Sequence, residues 1–224
     1  MAELDVGDHE SSAGLRQLIV ERLKDSRPPV DASRALAGGL LSNVDPKVLR
    51  GYFPASPVAA AVLMPLIEHP EGISVLLTER ASTLKNHAGQ ISFPGGRIEA
   101  ADGGPAEAAL REAEEEIGLP RQHVTIAGYL DPHLVLTGFW VTPVVGFVRP
   151  GFVLQLDRRE VASTFEVPLT HILDPANHCA RERLIGDASV QVHDIPYGDH
   201  NIWGATAGML MSLYRLLTQP IVTK

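Results

Sequence analysis

Residues 93–120, FPGGRIEAADGGPAEAALREAEEEIGLP, decide how this chain is read. The second half predicts a helix. Pro105 suits the first helical position, where a backbone N–H is not needed, and Gly118 followed by Pro120 ends it. The first half holds Gly95-Gly96, paired glycines that let main chain approach a ligand or ion closely and offer a carbonyl to it. The last helical turn, Glu114-Glu115-Glu116, sets carboxylates at the negative end of the helix dipole. Glu112 and Glu116, one turn apart, repel each other by roughly 0.2–0.5 kcal/mol. Left alone this arrangement is unfavourable. Glu112, Glu115 and Glu116 share one face at i, i+3 and i+4, so a divalent cation is the natural compensation, and hard oxygen donors suit Mg²⁺ or Mn²⁺. A solvated helix surface is the plain alternative for any run of glutamates. With a glycine loop ahead of it, the unit can instead enclose a metal-bound diphosphate.

Working outward, short apolar segments at 58–67 and 74–77, separated by a turn at Gly72, predict two paired strands. A long irregular loop over 80–104 encloses a brief strand at 91–93, and loops of that length in compact domains are usually functional. Further strands are predicted over 124–130, 141–148 and 190–192, and a helix over 205–217. Strands and helices mix without regular alternation, which favours an α+β or α/β/α layered fold over a doubly wound parallel sheet. Residues 1–33 read as an acidic tail and a peripheral amphipathic helix near 15–23, ahead of a break at Pro28-Pro29. Residues 34–224 read as one domain.

Apolar residues at 45% and charged residues at 21% of 224 are the balance of an ordinary globular protein. The longest apolar run, residues 58–67, is too short for a membrane span of about 20 residues. The acidic N-terminus lacks the basic and apolar regions of a secretory signal, so a cytoplasmic location is expected. With Cys179 alone, intrachain disulfides and multi-cysteine zinc sites are excluded. A net charge of −8 argues against non-specific nucleic-acid binding. A phosphate-bearing substrate then requires specific basic residues or bridging cations.

The decisive stretch resembles the Nudix box, G-x5-E-x7-R-E-U-x-E-E-x-G-U, with U a bulky apolar residue. Gly96, Arg111, Glu112, Glu115, Glu116, Gly118 and Leu119 match it. Asp102 stands where the pattern has its first glutamate, eight residues rather than seven separate it from Arg111, and Ala113 is smaller than usual. Upstream, residues 77–96, LTERASTLKNHAGQISFPGG, resemble the signature of coenzyme A pyrophosphatases, [LF]-T-x-R-[SA]-x3-R-x3-G-x3-F-P-G-G. Lys85 in place of Arg is the one departure. Together with the stretches at 141–145 and 202–207, the resemblance covers residues 57–217. It implies a Nudix-like α/β/α sandwich with a mixed sheet, a catalytic loop-helix-loop, and a homodimer.

Hydrolysing a diphosphate means delivering water to phosphorus while stabilising negative charge. Metal binding falls chiefly to Glu112 and Glu116, with Glu115 as a further ligand or a base, and by resemblance the Gly96 carbonyl. Arg111 is expected to orient a catalytic glutamate through a forked ion pair rather than touch substrate. For the general base Glu115 comes first, with Glu160 the other candidate. The 3′-phosphate of coenzyme A calls for fixed cations; Arg80, Lys85 and His87 are the candidates, with Gly95 beside the substrate. Lys85 keeps the charge of the pattern's Arg but not its bidentate geometry. His171, His178, His193 and His200 show no metal-ligand spacing and read as surface or core residues. Trp140 and Trp203 are open between adenine stacking and core packing. The substrate implied is coenzyme A or a thioester of it. A nucleoside diphosphate derivative such as ADP-ribose, or a catalytically silent nucleotide-binding protein, is the alternative.

Overall fold

The apolar run at 58–67 lies in strand β1 (Val58–His69), which runs parallel to β7 (Phe139–Val148) from the Val58–Phe139 pair to Ile67–Val148. The structure is a computed structural model describing residues 12–29, 56–82, 89–135, 137–185 and 188–219. Both strands are buried along most of their length because helices cover both faces of the sheet. Burial on two faces is why they read as continuous apolar runs rather than alternating ones.

One edge of β1 is shared. Its far half pairs antiparallel with β2 (Gly72–Arg80) across the turn at Gly72. Its near half, Ala60 to Val62, pairs with β4 (Gly95–Arg97). Beyond β2 lie β3 (Ile91–Ser92) and β8 (Val161–Pro168), while β5 (Val124–Tyr129) and β6 (His133–Leu134) pair antiparallel with β7. The result is an eight-stranded mixed sheet.

Helix α1 spans Ser12–Leu23, α2 Pro105–Ile117, α3 Leu169–Leu173 and α4 Gly204–Thr218. Ala108, Ala109, Ala113 and Ile117 of α2 pack on Ala61, Leu63, Leu76 and Val144 across one face of the sheet. On the opposite face, residues of α1, α3 and α4 close over Met64, Leu66, Val75 and Phe147. This is the expected α/β/α sandwich. A separate three-stranded antiparallel sheet, β9 (Cys179–Ile185), β10 (Ala188–Tyr197) and β11 (His200–Trp203), leads into α4. No described helix is long and apolar enough to cross a membrane.

Five strands go beyond the sequence reading: the short β4 and β6, and β8, β9 and β11. β8, VASTFEVP, places Ser163, Thr164 and Glu166 among its apolar residues and forms because β2 offers it an unpaired edge. β9 carries three consecutive charged residues, Arg181-Glu182-Arg183, and β11 has only four residues; both depend on β10, itself longer than the segment expected at 190–192. The first helix also differs from expectation. Leu15, Ile19 and Leu23, at 8%, 0% and 2% exposure, belong to the core. Arg16 pairs with Glu68 at 2.8 Å and lies 4.7 Å from the Phe147 ring. The Ser26 hydroxyl, just past the helix, accepts the Tyr129 N–H at 2.9 Å and so ties the segment to β5. An apolar stripe at i, i+4, i+8 needs a cover, and this face of the sheet supplies it.

Ile19 has no exposed surface, so Ile19→Ala is expected to destabilise the chain by about 2–5 kcal/mol. Urea unfolding measures this. A loss below about 1 kcal/mol would show that α1 is not part of the cooperative core.

Candidate active site

The acidic helix reaches the sheet because its inward face is made of small residues. Gly118 closes α2 in the left-handed region, φ 65°, and its N–H reaches Ala113 O and Glu114 O. Helix period places Glu116 on the same face as Ala109, Ala113 and Ile117, and its side chain is only 5% exposed. There Glu116 Oε2 accepts the Gly95 N–H at 3.1 Å, and Oε1 lies 3.9 Å from Arg80 Nη1. The glycines permit this approach. A Cβ on Gly95 would stand 2.4 Å from the Ala61 carbonyl oxygen, and one on Gly96 would stand 2.4 Å from Glu112 Oε1.

Arg111 organises the outer side of the same helix. Its Nε and Nη2 donate to Asp102 Oδ1 and Oδ2 at 3.0 and 3.1 Å, a two-point fork. Nη1 donates to Glu112 Oε1 at 2.9 Å and to Glu115 Oε2 at 3.1 Å, and Nη2 also reaches the Arg97 carbonyl at 3.1 Å. Asp102 additionally accepts the Glu99 N–H at 2.8 Å. Its carboxyl is held below the usual range, first by Arg111 and then by that N–H. The shifted acid of the sequence is thus the anchor of the arginine.

Glu160 comes in from the loop before β8. That loop satisfies the free carbonyls at the end of α2: Gln155 N–H donates to Ile117 O and Asp157 N–H to Glu116 O, each at 2.9 Å. The Glu160 carbonyl in turn accepts the Ala81 N–H at 2.8 Å. Glu160 is therefore fixed between the end of the acidic helix and the end of β2.

These groups border a cavity of about 850 Å³. Glu112, Glu116, Glu160, Arg80, Gly95 and Gly96 form one end; Val62, Phe93, Phe139, Val141 and Met209 make much of the remaining wall. Burial pushes Glu116 up to about 8, opposed by the Gly95 N–H and Arg80 and reinforced by Glu112 and Glu160. Glu112 is also raised, mainly by burial and against the pull of Arg111. Among the described residues no three His, Cys, Asp or Glu side chains are assembled into a ready metal cage. The donor chemistry still fits a hard cation. Two carboxylates are withdrawn from water one turn apart, and the deeper one has only a single N–H and a distant guanidinium to balance it.

The structure therefore brings Arg80, Gly95, Gly96, Glu112, Glu116 and Glu160 to one cavity. Arg111 stands behind it, holding Glu112. Glu115 points outward, 61% exposed and paired with Arg111. Lys85 and His87 lie outside the described residues. Trp203 lines the cavity and Trp140 does not. His171 and His178 contact backbone carbonyls at 2.8 Å, and His200 stacks on Phe165. His193 instead lines the cavity, as do His133, Arg97 and Arg215, which the sequence reading did not single out. For Arg215 the available signal was a single basic residue in an otherwise uncharged helix, GATAGMLMSLYRLLT.

A family model described as NUDIX domain matches residues 57–202. Proteins described as uncharacterized Nudix hydrolase NudL align over 154 residues, or 69% of this chain. The one from Cronobacter sakazakii is 40% identical with 80% of its length covered. The one from Photorhabdus laumondii is 41% identical with 82% covered. In fold, the chain is similar to the crystal structure of RenU, a Nudix hydrolase from M. smegmatis, with TM-score 0.51 and 20% identity over 75% of this chain and 91% of that one.

Glu116 is an acid whose folded value, about 8, exceeds its unfolded value of about 4.3. Between those two pH values the unfolded chain has released a proton that the folded chain still holds. Stability without divalent cations is thus expected to fall as pH rises across this window, and Glu116→Gln should remove that part of the slope. Urea melts of both proteins at pH 5 to 8 check it; parallel pH profiles would refute the buried acid.

Proposed function

This chain belongs to the Nudix family of hydrolases, which cleave diphosphate bonds in nucleoside derivatives, and we propose that its substrate is coenzyme A or a coenzyme A thioester. Water adds to one phosphorus, the bridging P–O bond breaks, and the products are 3′,5′-ADP and 4′-phosphopantetheine or its acyl derivative. The observation that carries this reading is the two-part cavity. A carboxylate end suited to a metal-bound diphosphate opens onto a long, mainly apolar wall suited to an extended substrate arm. The Leu77 to Gly96 signature adds to it.

In this mechanism Glu112 and Glu116 would hold Mg²⁺ or Mn²⁺, with the Gly96 carbonyl beside them. A cation held there would neutralise diphosphate charge and lower the pKa of a water bound to it. Glu160, on the cavity wall, takes the proton of the attacking water. It is preferred over Glu115, whose carboxylate is turned toward Arg111 and solvent. Arg80 lies at the carboxylate end, where its guanidinium can meet a non-bridging phosphate oxygen. Gly95 borders the carboxylate end and holds Glu116 in place through its N–H. Arg111 acts through Glu112: the fork on Asp102 aims the guanidinium, and the guanidinium aims the carboxylate. With charge handled in this way, the acidic net balance of the chain does not oppose an anionic substrate.

Product analysis with Mg²⁺ or Mn²⁺ on coenzyme A, an acyl thioester and ADP-ribose tests the substrate. Release of 3′,5′-ADP is expected. Turnover of ADP-ribose alone would move the substrate to another nucleoside diphosphate derivative, and no turnover of any nucleotide would indicate a silent binding protein. Within that assay Glu160→Gln should lower kcat by roughly 10²–10⁴-fold, and Glu115→Gln far less; the reverse order would return the base to Glu115. Arg111→Lys keeps the charge but not the fork, and should cost about 10–100-fold in activity or metal affinity. An unaffected Arg111→Lys enzyme would remove the positioning role.

A further inference from the structure

The cavity has a second polar region that the chemistry at Glu112 and Glu116 does not use. Arg215 of α4, His133 of β6 and His193 of β10 line it together with Met209 and Val192. No ion pair joins Arg215 to a carboxylate among the described residues. His133, 1% exposed, sets Nε2 3.1 Å from the Ser212 hydroxyl, and its Nδ1 is buried without a partner. The Nδ1 of His193 is likewise buried and unpartnered.

Burial first, and Arg215 second, lower the proton affinity of both imidazoles, with Asp194 opposing on His193. The positive charge of this region therefore rests on one guanidinium. At the diphosphate end the cation beside Glu116 is a different one, Arg80. A half-buried guanidinium in a largely apolar wall is costly unless an anion meets it, and its planar fork matches phosphate or carboxylate oxygens. With no carboxylate ion-paired to it among the described residues, an anion of the ligand is the partner that its place on the cavity wall favours. An extended substrate with its diphosphate at Glu112 and Glu116 would have to carry a second anionic group some distance along.

We infer that Arg215 is a specificity-determining residue that anchors a phosphate monoester carried by the substrate apart from its diphosphate. This rests on reading the Glu112 and Glu116 end as the diphosphate site.

The test compares kcat/KM for coenzyme A and 3′-dephospho-coenzyme A, which differ only in that monoester, in the parent, Arg215→Lys and Arg215→Gln proteins. A charge-assisted contact corresponds to a preference of about tenfold or more for coenzyme A in the parent, expressed in KM. Arg215→Gln should bring the ratio close to one, and Arg215→Lys should retain part of it. General misfolding would depress both substrates together and leave the ratio standing. A parent ratio of one, or a ratio that Arg215→Gln leaves in place, overturns the inference. Should the parent cleave neither substrate, the coenzyme A assignment fails, and Arg215 is judged by calorimetric binding of 3′,5′-ADP against 5′-AMP. A preference for 3′,5′-ADP that Arg215→Gln abolishes supports the anchor, and equal affinities overturn it.

Discussion

Glu116 sits on the buried face of its helix, and much of the site follows from how a carboxylate is tolerated there. Ala109 and Ala113 let α2 settle close on the sheet, so the next inward position is driven onto the main chain of β4. That main chain must be glycine. At Gly95 an added Cβ would collide with the backbone of β1, and at Gly96 with the carboxylate of Glu112. At Gly95 the residue that brings a backbone N–H to the site is thus required by packing, while at Gly96 a side chain would displace the Glu112 carboxylate, so the chemistry and the fold are tied together at this point.

Electrostatic balance around this buried acid is divided between two arginines with different duties. Arg80 comes from the end of β2 and approaches Glu116 loosely from the cavity side. Arg111 lies outside the cavity and is bound at two points to Asp102 while it holds Glu112 and Glu115. An aspartate in place of glutamate, with an extra residue before Arg111, still completes the fork. The loop can adjust its path, and Asp102 is further fixed by the Glu99 N–H. A departure from the family pattern in sequence is therefore absorbed without losing the ion pair.

Sheet topology explains why residues so far apart in sequence share one cavity. β4 and β2 use the same edge of β1, which places the glycine loop beside the end of β2. The loop following the end of α2 carries Glu160 to that point, and its own N–H groups cap the helix carbonyls. On the other side, the small sheet and α4 extend the wall and bring His193 and Arg215 into it. One end of the cavity is acidic and the other carries a lone guanidinium, a polarity suited to a substrate with a cation-bridged group at one point and a free anion at another.

Sequence alone determined the unit of glycine loop and acidic helix. Helix limits at Pro105 and Gly118, the one-face spacing of Glu112 and Glu116, and the paired glycines are local properties, set by backbone geometry and helix period. The strands buried on both faces were legible for the same reason, as apolar runs. Tertiary structure decided what depends on distant partners. β8 and β9 exist because neighbouring strands offer unpaired hydrogen-bonding edges, and α1 belongs to the core because the sheet leaves a face open beneath Leu15, Ile19 and Leu23. It also separated Glu160 from Glu115. Both are loop- or surface-like carboxylates in sequence, but only Glu160 is carried to the cavity wall, by hydrogen bonds that close a loop between two elements.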